Sequence, residues 1–170
     1  MNTTVAATSD STSPLAWNEQ LLFPQTFIDR RLPIKETVLG IVHEGLARAY
    51  SMSRMAASGP RLALNEVVNG LPILVAFDAG SSMAIPFDRR RMSADGTEVL
   101  ETLELDVVEE GAPLLRLRDR QTGSIWNLAG EAIEGPLQGE RLRQIETYSA
   151  FWFAWAAFNR NSEIHDPAAP

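Results

Sequence analysis

The chain has 170 residues, 45% of them hydrophobic, which suffices for one domain with a real core and gives no length argument for a second. Lys and Arg total 15 against 22 Asp and Glu, so a net charge of -7 repels phosphate backbones and anionic lipid and argues against a nucleic-acid partner. There is no cysteine, which excludes disulfides, thiolate-bound metals, iron–sulfur clusters and cysteine nucleophiles.

Residues 1–16 are rich in Thr, Ser, Ala and Asp and too poor in large apolar groups to offset the entropy of ordering, so they read as a disordered tail. They lack the basic start and apolar core of a secretory signal, and no apolar run approaches the roughly 20 residues that cross a bilayer. The expectation is a soluble, cytoplasmic protein without membrane insertion, unless a processed segment is missing. From Trp17 to Pro33, Leu21, Leu22, Phe23, Phe27 and Ile28 are interrupted by Pro24, which predicts an irregular strap packed on the domain. VLGIVHEGLARAY, residues 38–50, predicts a hairpin turning at Glu44 and Gly45.

RLALNEVVNG, residues 61–70, places Leu62, Val67 and Val68 loosely on a helical period with Asn69 and Gly70 as a stop, and predicts a short central helix. LPILVAF then reads as a fully apolar strand, followed by a loop at Asp78 and the partner strand MAIPF, whose Pro86 argues for an edge or a bulge. Arg89, Arg90 and Arg91 lead into a turn at Ala94, Asp95 and Gly96. In EVLETLELDVVEEG, Leu103, Leu105 and Val107 alternate with Thr102, Glu104 and Asp106, as in a half-solvated strand.

LLRLRDRQTGSIWNL predicts a second hairpin around Gln121 to Gly123, with Asp119 and Arg120 pinning the turn and Trp126 in the core. GEAIEGPLQGERL reads as loop with short strands. In TYSAFWFAWAAFNRN, Tyr148, Phe151, Trp152, Trp155 and Phe158 fall at helical spacings behind Thr147 as a cap. Residues 166–170 should fray. The sum is a mainly β fold, α+β at most: a single compact antiparallel sheet or barrel-like domain over residues 17–165, with a short central helix and a C-terminal aromatic helix.

The loop at Asp78 has the architecture of a site but only a carboxylate and the hydroxyls of Ser81 and Ser82. These oxygens suit a hard cation if Glu66 or Asp88 converges on them; the stronger reading is a turn that Asp78 caps. His43 belongs at a solvated hairpin tip, and His165 lies near a chain end. No Ser, His and Asp set has recognisable spacing, and Gly130, Gly135 and Gly139 form no phosphate loop. The aromatic helix reads as core, with an apolar arc wide enough for an oligomer contact through Phe151, Trp152 and Trp155.

Several of these stretches together resemble the family catalogued as domain of unknown function 3179 (DUF3179), found mostly in bacterial and archaeal proteins. They are VLGIVHEGLARAY, LNEVVNG, the strand and loop ending in FDR at Arg89, and LRDRQTGSIWNLAGEAIEGPLQGERL. The resemblance runs from about Pro33 to His165 and implies a Cys-Pro-x-Cys-Gly motif after the apolar strand and a Trp-His-Glu run before it. Here the two cysteine positions fall on Asp78 and Ser81, the proline on Ala79 and the glycine on Ser82. The histidine position falls on Asn65, while Glu66 and Asn69 are retained. The divergent chain is therefore expected to be a non-catalytic structural or ligand-binding domain with a lost thiol or metal site. One alternative is a hard divalent metal or small polar ligand held in one cleft by Asp78, Glu66 and Ser81 with Asn65 and Asn69. The other is a subunit of a homo-oligomer or protein assembly joined through Phe151, Trp152 and Trp155. Since relatives can be exported, the resemblance leaves the compartment open.

Overall fold

The computed structural model describes residues 28–108 and 113–166. The disordered tail expected at 1–16, the strap up to Phe27 and all but Asp166 of the C-terminal tail lie outside the described residues. The fold is mainly β, with its strands divided among four sheets. The first sheet has the order β13-β1-β2-β14, built from Tyr148–Phe151, Thr37–His43, Leu46–Ser51 and Glu163–Ile164. The second has the order β12-β5-β4-β3, from Arg143–Gln144, Met83–Asp88, Leu71–Asp78 and Arg61–Val68. The third is β11-β10-β9-β8, from Ala132–Glu134, Ile125–Asn127, Arg116–Asp119 and Leu105–Val108. A two-stranded ribbon joins β6, Arg90–Met92, to β7, Val99–Thr102.

The second sheet is the centre of the molecule. Strand β4 turns Ile73, Val75 and Phe77 toward Leu39, Ile41, Tyr50 and Met55, and turns Leu74 and Ala76 toward Leu103, Leu105, Leu117 and Trp126. A strand buried on both faces reads as an unbroken apolar run rather than as an alternating one, which is why LPILVAF carries no polar residue. Outside the first sheet lies helix α2, Trp152–Phe158, whose Trp152, Trp155 and Ala156 pack on Val38 and Ala49. Gly40 admits this contact, since a Cβ there would stand 2.2 Å from the Trp155 ring.

The hairpin at Glu44 and Gly45 forms as expected, with φ of 45° and 84° at its two turn residues. Pro86 is accommodated because the 75–86 pair does not exchange ladder hydrogen bonds with β4. Its missing N–H lies on the side of β12, where Ile145, just past that strand, donates to the Pro86 carbonyl.

Three placements differ from the sequence reading. Residues 61–68 form strand β3, not a helix. Val68 pairs with Leu71 across Asn69 and Gly70, both at positive φ, so the Asn-Gly pair is a two-residue hairpin turn and not a helix stop. The short helix is instead α1, Met52–Ser58, whose first turn is capped by Ser51 Oγ accepting the Arg54 N–H. The single strand expected over 98–111 is two, because the chain leaves the β6–β7 ribbon at Thr102 and joins β9 from Leu105, with Leu103 and Leu105 both buried. Finally, Tyr148–Phe151 pair with β1 before α2 starts at Trp152, and Thr147 donates to the Gly40 carbonyl instead of capping a helix.

Candidate functional site

Asp78 ends β4 and Met83 begins β5, leaving Ala79 to Ser82 as the turn. The Asp78 side chain is buried, 5% exposed, and its Oδ1 accepts the Gly80 N–H at 3.0 Å. Ser81 Oγ donates to the Asp78 carbonyl, Ser82 N–H to the Ala79 carbonyl, and Ala79 N–H to the carbonyl of Pro60. Backbone groups thus engage Asp78 Oδ1, Ser81 Oγ and the N–H groups of Ala79, Gly80 and Ser82, which is the pattern of a capped turn.

The other three residues assigned to this cleft by the sequence reading, Asn65, Glu66 and Asn69, lie elsewhere. Asp78 faces Arg61 across the β3–β4 ladder, so Glu66 stands five positions further along β3, about 17 Å away at the rise of a strand. Asn69 occupies the turn at the opposite end of the same hairpin, where its Nδ2 donates to the Glu44 carbonyl. Of the five, only Asp78 and Ser81 come together. Among the described residues no three His, Asp or Glu side chains are grouped to hold a metal ion.

Asn65 and Glu66 are adjacent on a strand and therefore face opposite layers. Asn65 points to the third sheet, where its Oδ1 accepts the Leu105 N–H at 3.0 Å and its Nδ2 donates to the Leu105 carbonyl at 2.7 Å. Arg89 assists from the same face, donating to the carbonyls of Leu103 and Glu66. Together they fasten the β7–β8 crossing to the central sheet.

Glu66 points the other way, into a polar cluster at the edge of the first sheet. Its Oε2 accepts Tyr50 OH at 2.7 Å and Arg48 Nη1 at 3.1 Å, and its Oε1 pairs with His165 Nδ1. The His165 ring lies over Tyr50 with centroids 5.0 Å apart, and Arg48 also pairs with Glu163. Burial pushes the Glu66 carboxyl up, but hydrogen bonds from His165 and Tyr50, with the charges of His165 and Arg48, prevail and hold it below the usual value. Burial, then the Glu66 charge, push the Tyr50 phenol far up, so it remains a donor. A glutamate–imidazole pair is the arrangement of a general base, but His165 Nε2 is sealed from solvent with no partner and can meet no substrate there. Nothing in the spacing of Arg48, Tyr50 and His165 signals this cluster, because three separate segments deliver it.

Asp119 does pin its hairpin, accepting the N–H groups of Thr122 and Gly123 and the Trp126 indole N–H. Of the three aromatic residues assigned to an interaction surface, Trp152 and Trp155 are buried and Phe151 is exposed. The exposed face is formed instead by Val42, Tyr148 and Phe158, at 44%, 57% and 91% exposure, beside an apolar groove of about 440 Å³ floored by Ala150, Ala154 and Trp155. No helix is long and apolar enough to cross a membrane among the described residues.

The family model described as "Protein of unknown function (DUF3179)" matches residues 9–162. No curated protein and no solved structure matches the chain.

Proposed function

Because the chain belongs to the DUF3179 family, we propose that it is a non-catalytic member with a structural or ligand-binding role, in which the loop that resembles the family's thiol site has become a self-closed turn. The observation that carries this reading is the state of Asp78, buried and engaged by its own turn at Gly80. The hard-metal alternative stands second, since magnesium and calcium take about six or more oxygen ligands and Glu66 is committed to His165, Tyr50 and Arg48.

Thermal unfolding of the wild type and of Asp78→Asn in magnesium, calcium and manganese tests the choice. The expected result is no cation-dependent stabilisation of either. A cation at a hundred times its Kd would add about 2.7 kcal/mol, or roughly 5–10 °C for a chain of this size. A shift of that order lost in Asp78→Asn would overturn the reading, as would turnover of any metal-dependent or redox substrate.

The exposure of Val42, Tyr148 and Phe158 favours a third reading, association of two copies through this face. An isologous pairing would cover the same residues on both copies.

A further inference from the structure

A cleft of about 520 Å³ opens between β6 and the segment that leads into β12, the size of a small-molecule site. One wall carries Arg90 and Arg91 and the other Arg141 and Arg143, against a single lining carboxylate, Glu140. Four carboxylates, Asp88, Glu101, Glu131 and Glu140, pair with these four guanidiniums, so the cleft is locally neutral in a chain of net charge -7, and what distinguishes it is how unevenly the pairs are made.

The four guanidiniums are not equally engaged. Arg90 grips the buried Asp88 through Nε and Nη2, at 2.9 and 2.7 Å, and Arg143 reaches the same carboxylate through Nη2 at 2.8 Å. Asp88 is thus shared by two guanidiniums, and Arg143 gives it a single N–H. Arg91 is held by a two-bond fork to Glu140 and a further contact with Glu101. Arg141 touches Glu131 through Nη2 alone at 3.2 Å. The side chains of Arg141 and Arg143 are 72% and 73% exposed and keep their remaining N–H groups for another partner. Planar guanidinium forks match carboxylate and phosphate oxygens.

The rim is apolar. Met92 and Leu100 stand 41% and 55% exposed beside these cations, over a floor of buried Trp126 and Leu142. We propose that this cleft binds a small amphiphilic anion, a carboxylate or phosphate head on an apolar body, with the head on Arg141 and Arg143 and the body over Met92 and Leu100. The proposal gives the ligand-binding role proposed above a place and a chemistry, and rests on that role; it asks nothing of the Asp78 loop.

Calorimetric titration at low salt with octanoate, octyl phosphate and inorganic phosphate tests it. At least one tailed probe binds with a Kd below about 1 mM and weakens as salt screens the head. Binding of octyl phosphate with octanoate silent assigns a phosphate head, and the converse assigns a carboxylate. The double substitution R141Q/R143Q weakens binding about tenfold or more, L100Q weakens the tailed probes without affecting inorganic phosphate, and R54Q on α1, beyond the central sheet, changes nothing. The proposal is overturned if no tailed probe binds below about 1 mM, or if R141Q/R143Q matters no more than R54Q. Turnover of a bound probe would instead overturn the non-catalytic reading and leave the cleft standing.

Discussion

Replacing Asn65 by alanine tests whether this side chain fastens the third sheet to the central one. The side chain makes two hydrogen bonds to one residue, accepting from Leu105 N–H and donating to Leu105 C=O, and so imitates a pair of ladder bonds between β3 of the central sheet and β8 of the third. Asn65→Ala strands both Leu105 groups inside the layer, beside a side chain with no exposure. Each unsatisfied buried group costs about 1–3 kcal/mol. Asn65 is only half-buried, so water recovers part of this, and the expected loss is about 2–4 kcal/mol. For a chain of this length that is a fall in Tm of roughly 5–15 °C. Urea unfolding should show a lower midpoint with an unchanged slope, since the same surface is exposed. Asn65→Asp sharpens the test: it keeps the acceptor for Leu105 N–H but sets a carboxylate against the carbonyl that Nδ2 now meets at 2.7 Å. Ionisation is thereby disfavoured in the folded state, so Asn65→Asp should be at least as damaging as alanine at neutral pH and recover in acid, where the protonated carboxyl can donate. A loss below about 0.5 kcal/mol for Asn65→Ala would refute the fastening role.

Three further substitutions separate the other side chains of the candidate sites. The folded-state pKa of Glu66 is depressed, so its contribution is present above the ordinary value of 4.5 and is lost as pH falls through the folded value; Glu66→Gln should cost about 1–3 kcal/mol at pH 7 and little in strong acid, and equal losses in urea titrations at both ends would show that the charge is not what matters. Trp152→Glu buries a charge beside Val38 and Ala49 and should abolish the folded circular dichroism spectrum, whereas Phe158→Glu, at a 91% exposed position, should keep it. If two copies associate through this face, Phe158→Glu yields monomers by light scattering; an unchanged mass would count against the association.

The β content was legible because the strongest signals were short-range. Alternation in the stretch around Leu103 to Val107, the turn at Glu44 and Gly45, and the Asp119 turn each depend on residues within one hairpin, and each appears in the structure. The misreadings arose where local sequence serves two structures. Leu62, Val67 and Val68 fit a helical period, but pairing with β4 along Arg61 to Val68 outweighs so weak a preference. The aromatic run after Thr147 keeps helical spacing across a boundary at which the chain changes from pairing with β1 to packing over it. The partners of Glu66 were not legible at all, since Arg48, Tyr50 and His165 meet it only after the first sheet is laid against the second.

The period of the element decides what the candidate site can be. On a helix, Asn65, Glu66 and Asn69 would share one side, because positions three and four apart are neighbours there, and convergence on a loop at Asp78 would be reasonable. On a strand the same three residues alternate between faces and spread along its length. The β3 hairpin therefore divides the three residues: Asn65 grips the third sheet, Glu66 grips the first, and Asn69 turns the hairpin. Each of these positions is accounted for by holding the layers together, without any ligand. That leaves Asp78 without acidic partners from β3, so any hard cation there would have to draw its remaining oxygens from backbone and solvent, a weaker set than a carboxylate cage. The Arg141 and Arg143 side chains differ in this respect, because each keeps N–H groups that no described residue takes and that a ligand can reach.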